Sequence, residues 1–255
     1  MLETGTMASD DESLALLLFL ACMAFGSLLL LFAQPPFGQD LGYHDFADQR
    51  VFLGIPNFFD IISNLPFVIV GAAGVNFCLR NPLLELRIAW LSFFAGVALV
   101  GPGSAFYHWI PDNASLVIDR LPMAVAFMGL MTALIGEYAG ARIGNILLAP
   151  ALILGLMSVL YWHWFDDLRL YAWIQFFPLG VLPIVALLLR RRYTGQGFLV
   201  TALLCYILAK VAENHDHDIF TLTHELVSGH TLKHLLAASA GLAVLLMLQR
   251  RTRAA

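Results

Sequence analysis

Charge is what this chain has least of. Asp, Glu, Lys and Arg make up 13% of its 255 residues, against 60% apolar ones, where a soluble domain carries about a quarter charged residues. A soluble globule is excluded, and the mean hydropathy of +0.78 agrees. The ten-residue alternating pattern of an outer-membrane barrel is also missing. Only three cysteines occur, Cys22, Cys78 and Cys205. Each falls inside an apolar run without a spaced pattern, which excludes a disulfide frame or zinc knuckle and reads them as small core residues. Basic excess is absent too: the net charge is −4 and the pI near 6.0, so nothing points to nucleic acid. The polar N-terminus has the acids Glu3, Asp10, Asp11 and Glu12 but no Lys or Arg. A secretory signal wants a basic start and a shorter apolar stretch, so the first apolar run reads as a retained helix. No repeat, low-complexity tract or long linker divides the chain.

What is present is a series of apolar runs close to the length of about 20 residues that crosses a bilayer. They fall at about Leu14–Ala33, Phe58–Leu79, Ile88–Trp109, Leu116–Tyr138, Ile143–Trp164, Leu170–Leu189, Phe198–Val211 and Thr231–Leu248. Backbone groups in lipid must be satisfied within the segment, so such runs are helices. The expected fold is all-α, a polytopic membrane helical bundle. Residues 1–57 supply an extra N-terminal helix and a polar outer connection, and residues 58–255 a seven-helix core. Lys210 and Glu213, at the end of the short seventh run, are placed to snorkel or pair at the interface.

Arginine sets the orientation. Arg80, Arg87, Arg142, Arg190, Arg191, Arg192, Arg250, Arg251 and Arg253 all lie on connections of one parity, and the other parity holds only Arg50 and Arg169. By the positive-inside rule the arginine-rich side is cytoplasmic. Eight helices then put both termini inside.

Against this apolar background, ionisable groups within membrane segments are costly and signal function. His230 and His234 are four residues apart at the start of the last run, one above the other on a helix face, within reach of a single metal ion. His108 ends the third run and Asp119 opens the fourth, and the eight-helix topology brings these ends to the outer side. Ser104 lies one turn from His108, and Pro111 and Asn113 turn the chain so that Asp119 can return beside it. Three imidazoles with a fourth position open match a catalytic zinc site better than a closed structural one. Asp119 could take a proton from a metal-activated water and pass it to a leaving nitrogen, while Ser104 donates to a developing oxyanion. The plainer readings are that Asp119 pairs with Arg120 or caps its helix, and that Ser104 bonds back to a helix carbonyl.

The set Ser104-x-x-x-His108, Asp119 and His230-x-x-x-His234 resembles the hallmark of the alkaline ceramidase family and its wider superfamily of membrane hydrolases, which includes adiponectin-receptor-like proteins. Asn57-Phe58-Phe59-Asp60-Ile61-Ile62-Ser63-Asn64-Leu65-Pro66-Phe67 is similar to the family's first-helix signature, Asn-Thr-x-Ser-Asn-x-Pro-Phe, and tilts the choice to ceramidases. The resemblance covers Asn57 to the C-terminus. It implies zinc on His108, His230 and His234, with Ser104 and Asp119 catalytic. It also implies hydrolysis of the acyl amide of ceramide or a related N-acyl lipid; the expected location is a bacterial inner membrane, with the site near the outer face by the topology above. Asp60 replaces the family's usual Asn, and the Trp-Cys-Glu element that helps bind calcium is missing before Asn57. Calcium is therefore doubtful, and Asp45, Asp48 and Asp60 read as solvated loop acids.

Two rival functions remain at this level. One is a receptor-like or regulatory protein with a structural zinc, the other a metal or proton transporter. Few ionisable residues lie in the cytoplasmic halves of the helices, which disfavours a relay across the membrane. His215, Asp216, His217, Asp218, His224 and Glu225 read as solvated groups, since their spacing is not His-Glu-x-x-His. Met123, Met128 and Met131 read as packing or lipid-facing. Gly101-Pro102-Gly103 reads as a kink or close approach.

Overall fold

A computed structural model describes residues 10–188 and 193–254. The chain forms α1 (Asp10–Phe32), a 3-10 turn (Leu41–His44), α2 (Phe58–Ile62), α3 (Leu65–Arg80), α4 (Arg87–Trp109), α5 (Asn113–Ala139) and α6 (Ala141–Phe165). It continues through α7 (Arg169–Leu188), α8 (Gln196–Asn214), α9 (Asp216–Leu222) and α10 (Gly229–Arg250). Among the described residues seven spans, with α2 and α3 counted as one, are long and apolar enough to cross a membrane. The fold is an all-α bundle of an integral membrane protein. Arg190, Arg191 and Arg192, which weigh in the orientation, and Glu3 lie outside the described residues.

Local chemistry explains where the helices differ from their apolar runs. The second run breaks into α2 and α3 because Pro66, at the start of α3, has no N–H to continue the ladder. Ser63 and Asn64 fill the break by donating to the Asp60 carbonyl at 2.9 and 2.8 Å. Helix α5 begins before Leu116 because Asp112 caps it, accepting from the Ser115 N–H at 2.7 Å in a capping box. Asp119 therefore sits within the helix and not at its cap. Ser228 caps α10, accepting from the Thr231 N–H at 2.9 Å.

Two apolar clusters build the interior. One joins α3, α4, α5 and α10 around Trp90, Phe94 and Val244. The other joins α1, α5, α6 and α7 around Leu116, Met128, Trp162 and Ile174. Of the methionines, Met128 and Met131 are buried and Met123 packs on the first cluster. Helix α1 applies a stripe of Leu17, Leu20, Ala24, Leu28 and Leu31 to the second cluster, at the spacing of one helix face. The helix itself runs 23 residues, as many as α4. It runs antiparallel along α7, with Trp173 Nε1 donating to Ser27 Oγ at 2.9 Å and Arg169 reaching the Gln34 carbonyl at 2.6 Å.

Only one cysteine meets the expectation of a core residue fully: Cys78 is buried, Cys205 half-buried and Cys22 exposed. In a membrane bundle the lipid-facing side of a helix is as apolar as the packed side, so an apolar neighbourhood does not place a cysteine in the core.

Candidate metal centre

The histidines converge. The rings of His108, His230 and His234 have centroids 4.7, 4.9 and 5.0 Å apart, and one ligand nitrogen from each lies within 4.8 Å of the others. All three are buried. The Nε2 atoms of His108 and His234 are 3.3 Å apart, close to the edge of a tetrahedron with metal–nitrogen bonds of about 2.0–2.1 Å. Ser63 Oγ meets His234 Nδ1 at 2.8 Å, leaving Nε2 for an ion, the arrangement typical of metal-ligating histidines. The donor set fits a metal ion. It is the only such group of His, Cys, Asp and Glu among the described residues.

The elements that bring the rings together are set by small residues and caps. A Cβ on Gly103 would lie 2.7 Å from the Ile118 carbonyl oxygen, so glycine there allows α4 and α5 to approach beside Asp119. Gly229 performs the same service for α10, since a Cβ there would lie 2.2 Å from the Ala212 carbonyl oxygen and 2.7 Å from Asp216 Cα. Both the kink-or-approach reading of Gly101-Pro102-Gly103 and the i, i+4 reading of the histidines correspond to actual contacts.

Ser104 and Asp119 are buried next to this centre. Ser104 Oγ is 3.5 Å from His234 Nε2. Asp119 keeps Oδ1 without a partner, as His108 does Nδ1. Lys233 forms an ion pair with Glu213 at 2.7 Å and approaches His230 Nε2 at 3.2 Å. Glu213 also pairs with Lys210 and accepts from Tyr43 Oη at 2.9 Å. The expected Lys210–Glu213 pair is thus present, as part of a larger network. Burial, followed by the Glu213 carboxylate, holds the Tyr43 phenol well above its ordinary pKa.

Several acids expected to be solvated are buried. Asp216 accepts from the His230 N–H at 2.7 Å and the Ala47 N–H at 2.9 Å, tying the start of α10 to the outer connection. Asp60 is 0% exposed and accepts from the Ser228 and Thr231 hydroxyls at 3.1 and 2.8 Å. Asp48, equally buried, pairs with Arg50 at 2.6 Å. These acids are drawn inside because hydroxyls, backbone N–H groups and a guanidinium replace their water. His215, His217, Asp218, His224 and Glu225 do remain exposed. The outer connection is also more than polar chain: Phe46 lies over the site with its ring centroid 4.5 Å from His108 and 4.9 Å from His230.

A cavity of about 480 Å³ leads from Ser104, Asp119, Lys233 and His234 toward the far end of the bundle. Deeper in, its wall is Phe93, Val97, Phe127, Leu134, Leu182, Leu203 and Val244, with no acid or base. Helices α7 and α8 both line it but scarcely touch among the described residues, α7 packing on α1, α5 and α6, and α8 on α9 and α10. A polar head and a long apolar barrel suit an amphiphile of small-ligand size. Compared with models of protein families and with curated proteins, the chain matches none, so its chemistry is read from these residues.

Proposed function

We propose that the protein is a zinc-dependent membrane amidohydrolase, related to the alkaline ceramidases, that cleaves the acyl amide of ceramide or a similar N-acyl lipid. The observation that carries this reading is the position of the buried histidine triad, with Ser104 and Asp119, at the head of an apolar cavity. A zinc ion on His108, His230 and His234 would polarise the amide carbonyl and acidify a water molecule. Asp119, buried with a free carboxylate oxygen, accepts the proton of the attacking water and delivers it to the departing nitrogen. Ser104 donates its hydroxyl to the carbonyl oxygen as negative charge develops there. The acyl chain occupies the apolar barrel, entering from lipid between α7 and α8. Lack of acids and bases along that barrel supports an enzyme cavity over a transport relay. The arginine-rich connections support a cytoplasmic position for both termini and a site near the outer face of the membrane.

The test is fatty-acid release by mass spectrometry from a panel of ceramides and other N-acyl lipids, using purified protein in detergent. Release that stops with a chelator and in Asp119→Asn is expected. No release from any lipid, in a preparation that holds zinc through its histidines, would overturn the enzyme and favour a receptor-like protein with structural zinc.

A further inference from the structure

Next to the metal centre the cavity carries a cation that its own fold does not neutralise. Arg120, the residue after Asp119, lines the cavity and is 7% exposed. Its Nη2 donates to Gln39 Oε1 at 2.5 Å, and its Nη1 is buried with no partner. No carboxylate forms an ion pair with it among the described residues. Aromatic rings hold it instead: the guanidinium carbon lies 4.1 Å from the Trp162 ring centroid, 4.8 Å from that of Tyr171 and 5.8 Å from that of Tyr43. Trp162 itself leaves its Nε1–H without an acceptor. Rings orient a guanidinium but do not supply the negative charge that a buried cation needs.

The surrounding charges do not supply it either. Arg120, Lys210 and Lys233 line the cavity against Asp119 and Glu213. Glu213 is shared by both lysines, and Asp119 faces Lys233 as well as Arg120. Lys233 stands on the same Tyr43 ring as Arg120, with its ammonium 5.9 Å from the centroid. The polar head of the cavity is thus net positive before any metal is added, and its one guanidinium without a carboxylate has a donor to spare.

We infer that Arg120 is the anchor of an oxyanion subsite, and that the amide lipid taken by this cavity carries an anionic head group, a carboxylate or a phosphate, on the amine side of its amide. The inference deepens the amidohydrolase reading and rests on it for the position of the amide. Arg120 offers the forked donor geometry that carboxylates and phosphates share. Simple ceramide, whose head has only hydroxyls, leaves that donor idle. An N-acyl amino acid or an N-acyl amine bearing a phosphate uses it.

The experiment measures binding, not turnover, so that a failed amidase reading and a failed subsite give different results. Zinc-loaded Asp119→Asn protein in neutral detergent is titrated calorimetrically with three ligands of one acyl chain: N-oleoylglycine, N-oleoyl-phosphoethanolamine and the neutral N-oleoylethanolamine. At least one anionic ligand is expected to bind about tenfold or more tightly than the neutral one, and the better of the two tells carboxylate from phosphate. Adding Arg120→Gln should remove the difference, while Arg120→Lys should keep part of it. Equal binding of all three ligands would overturn the subsite, as would a preference for anions that survives in Arg120→Gln. The wild-type head-group preference, read by the same titration under conditions without turnover, keeps the inference falsifiable should either Arg120 variant fail to fold.

Discussion

Ser63 and His234 meet at 2.8 Å, hydroxyl oxygen to Nδ1, although 171 residues separate them. Ser63 occupies the break between α2 and α3, and its hydroxyl also donates to the Asp60 carbonyl at 2.9 Å. The donor is thereby committed to Asp60, and the oxygen is left to accept from His234 Nδ1–H, which fixes the tautomer that presents Nε2 to a metal. Removing such an outer partner costs about 10–100-fold in metal affinity. Ser63→Ala is expected to lose zinc in that range, measured by competition with a chromophoric chelator, and Ser63→Thr to lose less.

Asp216 ties two strands of chain to the centre through one carboxylate. Asp216→Ala leaves the N–H groups of His230 and Ala47 without their acceptor, and a buried unsatisfied donor costs about 1–3 kcal/mol. The thermal unfolding midpoint in detergent should fall, and zinc affinity with it. An unchanged midpoint would show that water takes the place of the carboxylate.

Gly103 sets the separation of α4 from α5. In Gly103→Ala the new methyl would lie 2.7 Å from the Ile118 carbonyl oxygen, a backbone atom that moves only with its helix. Overpacking of this kind destabilises by about 1–3 kcal/mol. Because Asp119 follows Ile118, the proposed amide hydrolysis should fall by more than the loss of folded protein, as read by comparing specific activity with the fraction folded.

The cap of α5 gives a pH test. The Ser115 N–H, and then its hydroxyl, hold the Asp112 carboxyl below its ordinary pKa. A depressed folded pKa means stabilisation that is complete above the unfolded value of about 3.9 and is lost as pH falls through the folded one. The gap in unfolding midpoint between the native protein and Asp112→Ala should therefore be present at about pH 6 and narrow as the pH falls below the unfolded value.

Orientation has its own check. Ala114 is exposed at the site end of the bundle and Leu83, 95% exposed, lies on the connection between α3 and α4 at the opposite end. With Cys22, Cys78 and Cys205 replaced by serine, Ala114→Cys should react with an impermeant maleimide in intact cells, and Leu83→Cys only after the membrane is opened. The reverse pattern would invert the protein.

Much of this arrangement could be read in one dimension, and the reason is helical. Ser104 with His108 and His230 with His234 share faces because four residues make about one turn, and the apolar runs mark seven spans within a few residues. What could not be read depends on docking. Asp216 and Asp60 look like loop acids until α9 and the Ser228 cap enclose them, and Phe46 is one more aromatic residue until the outer connection folds over His108. In the sequence Arg120 is no more than a neighbour for Asp119. Its unused donor becomes visible when Gln39, Trp162 and Tyr171, from three different parts of the chain, are set around it.

The centre is split between α4 and α10, with His108 and His234 126 residues apart, and this bears on how the protein is made. A chain still on the ribosome has its first histidine in the bilayer long before the other two are synthesised. Any product that ends before Gly229 has only one of the three imidazoles of the centre. An ion held by this triad would consequently be acquired last in biogenesis, and metal content in a preparation would count the molecules whose final helix has been inserted.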